Sequence, residues 1–233
     1  MRDRRAAMRA VAVLVDDVRR ALYDHVRRAD RPVTRESAAE EVGISRKLAA
    51  FHLDKLVRAG LLSATTTSPT ASVGRRPKAY EPAAVDVAVA IPERRPDALV
   101  EILMEGVLRS EPGSGAAAET LRAAQSTGIR LGESERRHGR YRAMGFQRAL
   151  TLSVSMLERY GFEPVQQDRS TVGLRNCPFR PFADSEPGLI CGISHALLSG
   201  YLDGLGAEGI EANLDPRPGW CCVRLRASPA VNG

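Results

Sequence analysis

An α+β fold is what this 233-residue sequence predicts, on three observations. Apolar positions recur at helical spacing in two blocks, residues 13–59 and 97–160. Each block is followed by short strand-forming runs separated by turn residues, at 61–82 and again at 161–225, where one further helix intervenes. All four cysteines, Cys177, Cys191, Cys221 and Cys222, fall in the last 57 residues. An apolar content of 43% points to a globular chain, and the length allows two modest cores.

In the first block Leu14, Val18, Leu22 and Val26 are spaced by four, which lines them along one face of a helix over 13–29. Pro32 breaks that helix, and Thr34 is a good N-cap for a short second helix over 35–42, with Ala38, Ala39 and Val42 as its apolar face. Gly43 supplies the left-handed residue of a tight turn, and Ser45 caps a third helix over 46–59, which Gly60 ends. Leu48, Phe51, Leu53, Leu56 and Val57 are expected to face inward or cover the partner helix, leaving Arg46, Lys47, Ala50, His52, Asp54 and Lys55 more exposed. Strand formers at 61–67, a Ser/Pro/Gly/Arg-rich loop at 68–78 and a return strand at 79–82 complete a β-hairpin with a basic tip.

Helix, glycine turn, then a helix with a basic start is the helix-turn-helix pattern, and the hairpin after it reads as a wing. Residues 1–80 hold 17 Lys/Arg against 9 Asp/Glu, while the remainder holds 17 against 19, so the positive excess sits where a polyanion would be met. The candidate DNA-contacting residues are Thr34, Ser45, Arg46, Lys47, Ala50, His52 and Lys55, with Arg75, Arg76 and Lys78 of the wing on phosphate or in the minor groove.

A boundary is expected at the PERRP run, residues 92–96. Helices follow from Asp97, at 116–131 and at 141–160, with GESERRHG at 132–139 read as a loop or frayed helix end that exposes His138. Their stripes (Leu99, Val100, Leu103, Met104, Val107 and Leu108; then Phe146, Leu150, Val154, Leu157 and Tyr160) read as core and as part of a dimer interface. Beyond Gly161 the pattern gives strands at 163–167 and 171–176, a helix over 188–202, and a final strand pair at 209–214 and 220–225. The division predicted is 1–91, a winged helix-turn-helix DNA-binding domain; 92–160, a helical linker and dimerisation segment; and 161–233, an α/β domain with a small antiparallel sheet.

No run of about 18 apolar residues occurs, so no transmembrane helix is expected, and the basic N-terminus lacks a signal-peptide cleavage pattern. The expectation is a cytoplasmic protein whose thiols stay reduced, fit for metal or redox chemistry rather than for a disulfide framework. Thirteen residues separate Cys177 from Cys191, and 29 or 30 separate Cys191 from the terminal doublet. These are not the short paired spacings of a zinc finger or a ferredoxin. Strand alternation would put Cys221 and Cys222 on opposite faces, and His195 shares a helical face with Cys191. Inert core thiols stay open as a reading, as do iron–sulfur or zinc ligation.

Two resemblances sharpen the expectation. Val42-Gly43-Ile44-Ser45, Phe51–Leu56, Ala59–Leu62 and the wing Gly74–Tyr80 resemble the ArsR-like winged-helix transcriptional regulators. Asn176-Cys177-Pro178-Phe179, Pro187, Cys191–Gly200 and Pro218–Val223 resemble the sensor domain of SufR-type iron–sulfur-dependent repressors. The first resemblance implies a homodimer on a palindromic operator in double-stranded DNA, and the second an operator affinity that follows a cluster, usually [4Fe–4S], held by three cysteines. Such repressors commonly act on iron–sulfur assembly genes. Cys177 and Cys191 are the implied ligands, with Cys222 preferred over Cys221 as the third, and His195 a candidate for the fourth position. The rivals are a zinc- or thiol-redox-responsive winged-helix regulator and, in another class, an enzyme pairing Cys177 or Cys191 with His195. No nucleophile elbow, phosphate loop or cofactor fingerprint accompanies that pair, so the protein is read as no enzyme.

Overall fold

Helix α1 (Arg4–Val13) and helix α2 (Asp17–Arg28) begin a computed structural model that describes residues 4–66, 78–84, 86–110, 115–141 and 144–228. The expected single helix over 13–29 is interrupted ahead of Asp17 because Asp16 caps α2, its carboxylate accepting from the Arg19 N–H at 2.9 Å. Leu22 and Val26 are buried as expected, while Leu14 and Val18 pack at the edge of the core. The chain forms two compact units, Met1–Val89 and Ala90–Gly233.

In the first unit β1 (Val33–Thr34) leads into α3 (Arg35–Val42) and α4 (Arg46–Arg58), followed by β2 (Leu62–Thr66) and β3 (Lys78–Pro82). Gly43, at φ 72°, ends α3: its N–H reaches the Glu40 carbonyl and the Ile44 N–H reaches Ala39 at 3.0 Å. The strands form an antiparallel sheet in the order β1-β3-β2, with Tyr80 opposite both Val33 and Ala64. Leu22, Val26, Ala38, Ala49, Leu53, Leu56, Leu62 and Tyr80 close the core.

Tyr80 ties this sheet to α4. Its hydroxyl donates to the Asp54 carboxylate at 3.1 Å, and Lys78 bonds the same oxygen. Burial raises the Asp54 carboxyl, but the bonds from Lys78 and Tyr80 outweigh it and hold the group below its ordinary value. Burial and then the Asp54 carboxylate push the Tyr80 hydroxyl from 10.0 up to about 12. Below pH 10 the phenol is protonated in folded and unfolded chains alike, so its contribution to stability is complete. Above that the unfolded chain ionises first, and the contribution is lost as pH rises toward 12. Tyr80→Phe is expected to cost about 1 kcal/mol at pH 7 and to flatten the fall in stability above pH 10. Thermal unfolding at pH 7 and pH 11 measures both.

The second unit opens with α5 (Pro96–Arg109), α6 (Ala116–His138) and α7 (Phe146–Arg159). Next come β4 (Pro164–Gln166), β5 (Thr171–Leu174), α8 (Phe182–Ser185), α9 (Pro187–Leu205), β6 (Ile210–Leu214) and β7 (Val223–Ala227). The sheet is antiparallel throughout in the order β4-β5-β7-β6. One core runs through the helices and the sheet, with Ile102, Ala124, Leu157, Leu174, Phe179, Ile193, Leu197 and Leu225 inside it. On α5 the predicted broad apolar face divides: Leu99 is buried and Leu103 half-buried, whereas Val100, Met104, Val107 and Leu108 are exposed; Ile102, outside the predicted face, is buried.

GESERRHG, expected as a loop or frayed end, continues α6 to its end at His138, which is exposed. Gly132 resembles a helix terminator in sequence, but it marks where α9 passes. Methyl groups built on Gly128 and Gly132 would lie 2.1 Å from the Leu197 carbonyl oxygen and 2.2 Å from that of Tyr201. From the other side, those on Gly200 and Gly204 would lie 2.2 Å from the carbonyl oxygens of Gln125 and Ile129. Two Gly-x-x-x-Gly pairs therefore interlock, with α6 and α9 running parallel and backbone against backbone. Helix α9 is buried on nearly every side. Among the described residues no helix is long and apolar enough to cross a membrane.

Candidate functional site

The first candidate surface is α4. Ser45 caps it, its hydroxyl accepting from the Leu48 N–H at 3.3 Å, as Thr34 caps α3 by accepting from Ser37 at 3.2 Å. Arg46 and Lys47 stand exposed in the first turn, and Ala50 is half-buried. The inward stripe is Ala49, His52, Leu53 and Leu56. This corrects the expected orientation: His52 is 8% exposed, while Leu48 and Phe51 face out at 40% and 50%. The reason is geometric. Ala49 and Leu53, four apart, fix the buried face, and His52 falls inside it whereas Phe51 falls opposite. The Lys55 ammonium lies 4.3 Å from the centre of the Phe51 ring, and the His52 ring meets Phe51 edge-on at 5.3 Å. Lys78 bonds Asp54 and so braces the base of the wing against α4. Arg75 and Arg76 lie outside the described residues.

The second is a cavity of about 320 Å³ whose wall includes Cys177, Cys191, Cys221 and Cys222. Three different elements deliver these thiols. Cys177 sits in the turn after β5, and Asn176 beside it anchors that turn. The Asn176 amide donates to the Glu93 and Gly161 carbonyls at 2.9 and 2.6 Å, and its oxygen accepts from Arg94 at 2.5 Å. Cys191 comes from the N-terminal part of α9, the helix that the glycine pairs lock to α6. Cys221 and Cys222 precede β7, which begins at Val223 rather than at the expected residue 220. Strand alternation does not govern them there, so both members of the doublet reach the cavity. The Cys221 N–H donates to the Leu174 carbonyl at 2.8 Å, and the Cys222 carbonyl accepts from Asp215 at 2.7 Å. Asp215 also pairs with Arg217, Arg224 and Arg226, which holds the 215–222 loop to β7.

All four thiols are free, and three are buried. The hydrogen bond with Cys221, and then burial, push the Cys177 thiol far above the usual range. For Cys221 the bond with Cys177 lowers the value, but the bond with Cys222 and burial win, and it rises to about 12. Burial raises Cys191, offset in part by its bond with Cys222. At neutral pH these three groups are protonated thiols crowded together, which a soft cation can displace from their protons. Arg180, Asp184 and Arg217 also contribute to the wall, as does Trp220, on whose ring Arg175 stacks at 3.9 Å.

His195 is not brought to this cavity. Its Nε2–H donates to the Ala212 carbonyl at 3.0 Å, joining α9 to β6. Among the described residues no three His, Cys, Asp or Glu side chains converge as ligands of one metal ion do. The reading from spacing also passed over Asn176 and the four seam glycines. The paired Gly-x-x-x-Gly intervals were the available signal for the glycines, and the Asn-Cys-Pro junction for Asn176.

Residues 14–63 match the family described as a helix-turn-helix domain. The match spans α2 through α4 and the start of β2, and implies DNA binding by a protein of the transcriptional-regulator class. No curated protein gives a significant match to the chain.

Proposed function

We propose that the chain is a winged-helix transcriptional regulator, a repressor of the SufR type, whose operator affinity is set by an iron–sulfur cluster. The observation that carries this reading is the meeting of four thiols from three distant segments around one cavity. Their donor chemistry fits the group: soft thiols, largely shielded from water and gathered around one cavity. A [4Fe–4S] cluster takes one ligand at each iron, so four thiols match its four positions. Cys177, Cys191, Cys221 and Cys222 would hold it, so the doublet supplies both remaining positions and His195 keeps its structural bond. When bound, such a cluster supplies an oxygen- and iron-sensitive cross-link among the three segments.

The protein residues do the rest. Asn176 fixes the Cys177 turn, Asp215 fixes the doublet loop, and α4 presents Arg46 and Lys47 to the major groove. A two-fold operator calls for a homodimer, and the exposed Val100, Met104, Val107 and Leu108 stripe of α5 is the apolar face that supports it. The division into DNA-binding, dimerising and sensing segments, cytoplasmic action, and control of iron–sulfur assembly genes belong to the same proposal.

Purification of the full chain without oxygen tests it. A brown protein with visible absorbance and about four iron and four sulfide per protomer is expected. A colourless protein carrying zinc, or no metal after reconstitution with iron and sulfide, removes the cluster reading and leaves the helix-turn-helix untouched.

A further inference from the structure

Phe51 sits where a DNA-facing residue belongs, yet it is a bare aromatic ring. Lys47, one turn earlier, shares its face of α4, and Leu48 adjoins it, so an apolar patch of two side chains is flanked by the cations Lys47 and Lys55. The ring is held on two sides, by the Lys55 ammonium and by the edge of His52, and remains half exposed. The patch is apolar in the middle with cations on two sides, and Asp54, the carboxylate beside it, is paired with Lys78. Its complement is a polyanion that displays an apolar group between its charges.

We propose that Phe51, with Leu48 beside it, reads the C5-methyl group of thymine in the major groove of the operator. The phosphates take the surrounding cations, as they do for any sequence. The thymine methyl is the apolar feature that the base edges present in that groove, and aromatic and small apolar side chains are its usual contacts. This inference rests on the DNA-reading role of residues 14–63 and is independent of the cluster. An apolar protein partner would also cover Phe51, and the test separates the two.

The test uses the full chain and a pool of random-sequence duplexes. Bound duplexes are sequenced, and each thymine of the selected duplex is then replaced singly by uracil, which removes only the methyl group. For the wild-type protein, thymine is expected at one position or more of each half-site, and uracil there lowers affinity about fourfold, the worth of one buried methyl. Phe51→Ala binds more weakly and no longer tells thymine from uracil, while Phe51→Leu keeps part of the preference. Equal affinity for thymine and uracil at every position of the wild-type complex overturns the inference, as does an unchanged thymine-to-uracil ratio in Phe51→Ala. If Phe51→Ala binds no duplex, the wild-type uracil series decides alone. If the wild-type protein enriches no duplex, the DNA-reading role fails first and the inference goes with it.

Discussion

Gly200→Ala is expected to destabilise the C-terminal unit by about 3 kcal/mol or more, lowering its Tm by ~10 °C. The added methyl would lie 2.2 Å from the Gln125 carbonyl oxygen and 2.9 Å from its carbonyl carbon. Both atoms are backbone of α6, so no side chain can swing aside. The helices must separate, and separation exposes the core that Ala124, Leu197 and Tyr201 share. Alanine's better helix propensity, worth about 1 kcal/mol, does not offset this. Gly188→Ala is the matched control, on the same helix: a methyl there meets nothing within 4 Å, and the variant should be neutral or slightly stabilised. Thermal unfolding of both variants gives the comparison. A Gly200→Ala protein as stable as wild type would mean that α6 and α9 do not touch in the manner described.

The second large effect concerns the thiols. Under the proposed function Cys177→Ser is expected to lower iron and sulfide retained after oxygen-free purification at least about tenfold and to abolish the visible absorbance. The estimate is conservative, because changes even to residues that merely support a metal ligand cost 10- to 100-fold in affinity. Cys221→Ser and Cys222→Ser, made separately, should each weaken retention, since both thiols line the cavity. His195→Gln should retain the full complement, because its ring is engaged with the Ala212 carbonyl. Unchanged iron content and unchanged operator affinity in Cys177→Ser would dismiss cluster control. Loss of iron in His195→Gln with retention in Cys221→Ser would restore the assignment made from helical spacing.

Much of the fold was legible because its signals are local. The caps Thr34 and Ser45, the turn glycine Gly43 and the strand formers near Leu62 act within a few residues of themselves, and the structure has them in those roles. The outward face of α4 was misread because hydrophobicity was equated with burial. Phe51 is apolar and exposed, His52 polar and buried, and only the tertiary partners of Ala49 and Leu53 decide which way the helix turns. The extent of α6 was missed for a related reason: Gly132 terminates helices in general, but here it admits a neighbouring backbone. At the cavity the resemblance implied that Cys177, Cys191 and one member of the doublet meet, but not that both members reach it, because that depends on where β7 starts. Three residues of difference there bring both doublet thiols to one wall.

The interlocked glycines also limit how the cavity can change shape. A helix notched at Gly200 and Gly204 into carbonyls of its neighbour cannot slide along or roll about its axis without a steric collision, so the Cys191 wall is stationary. Under the proposed function, loading and emptying are therefore accommodated by the two loops that carry Cys177 and the doublet. In that reading the helix is a fixed anvil against which the loops close.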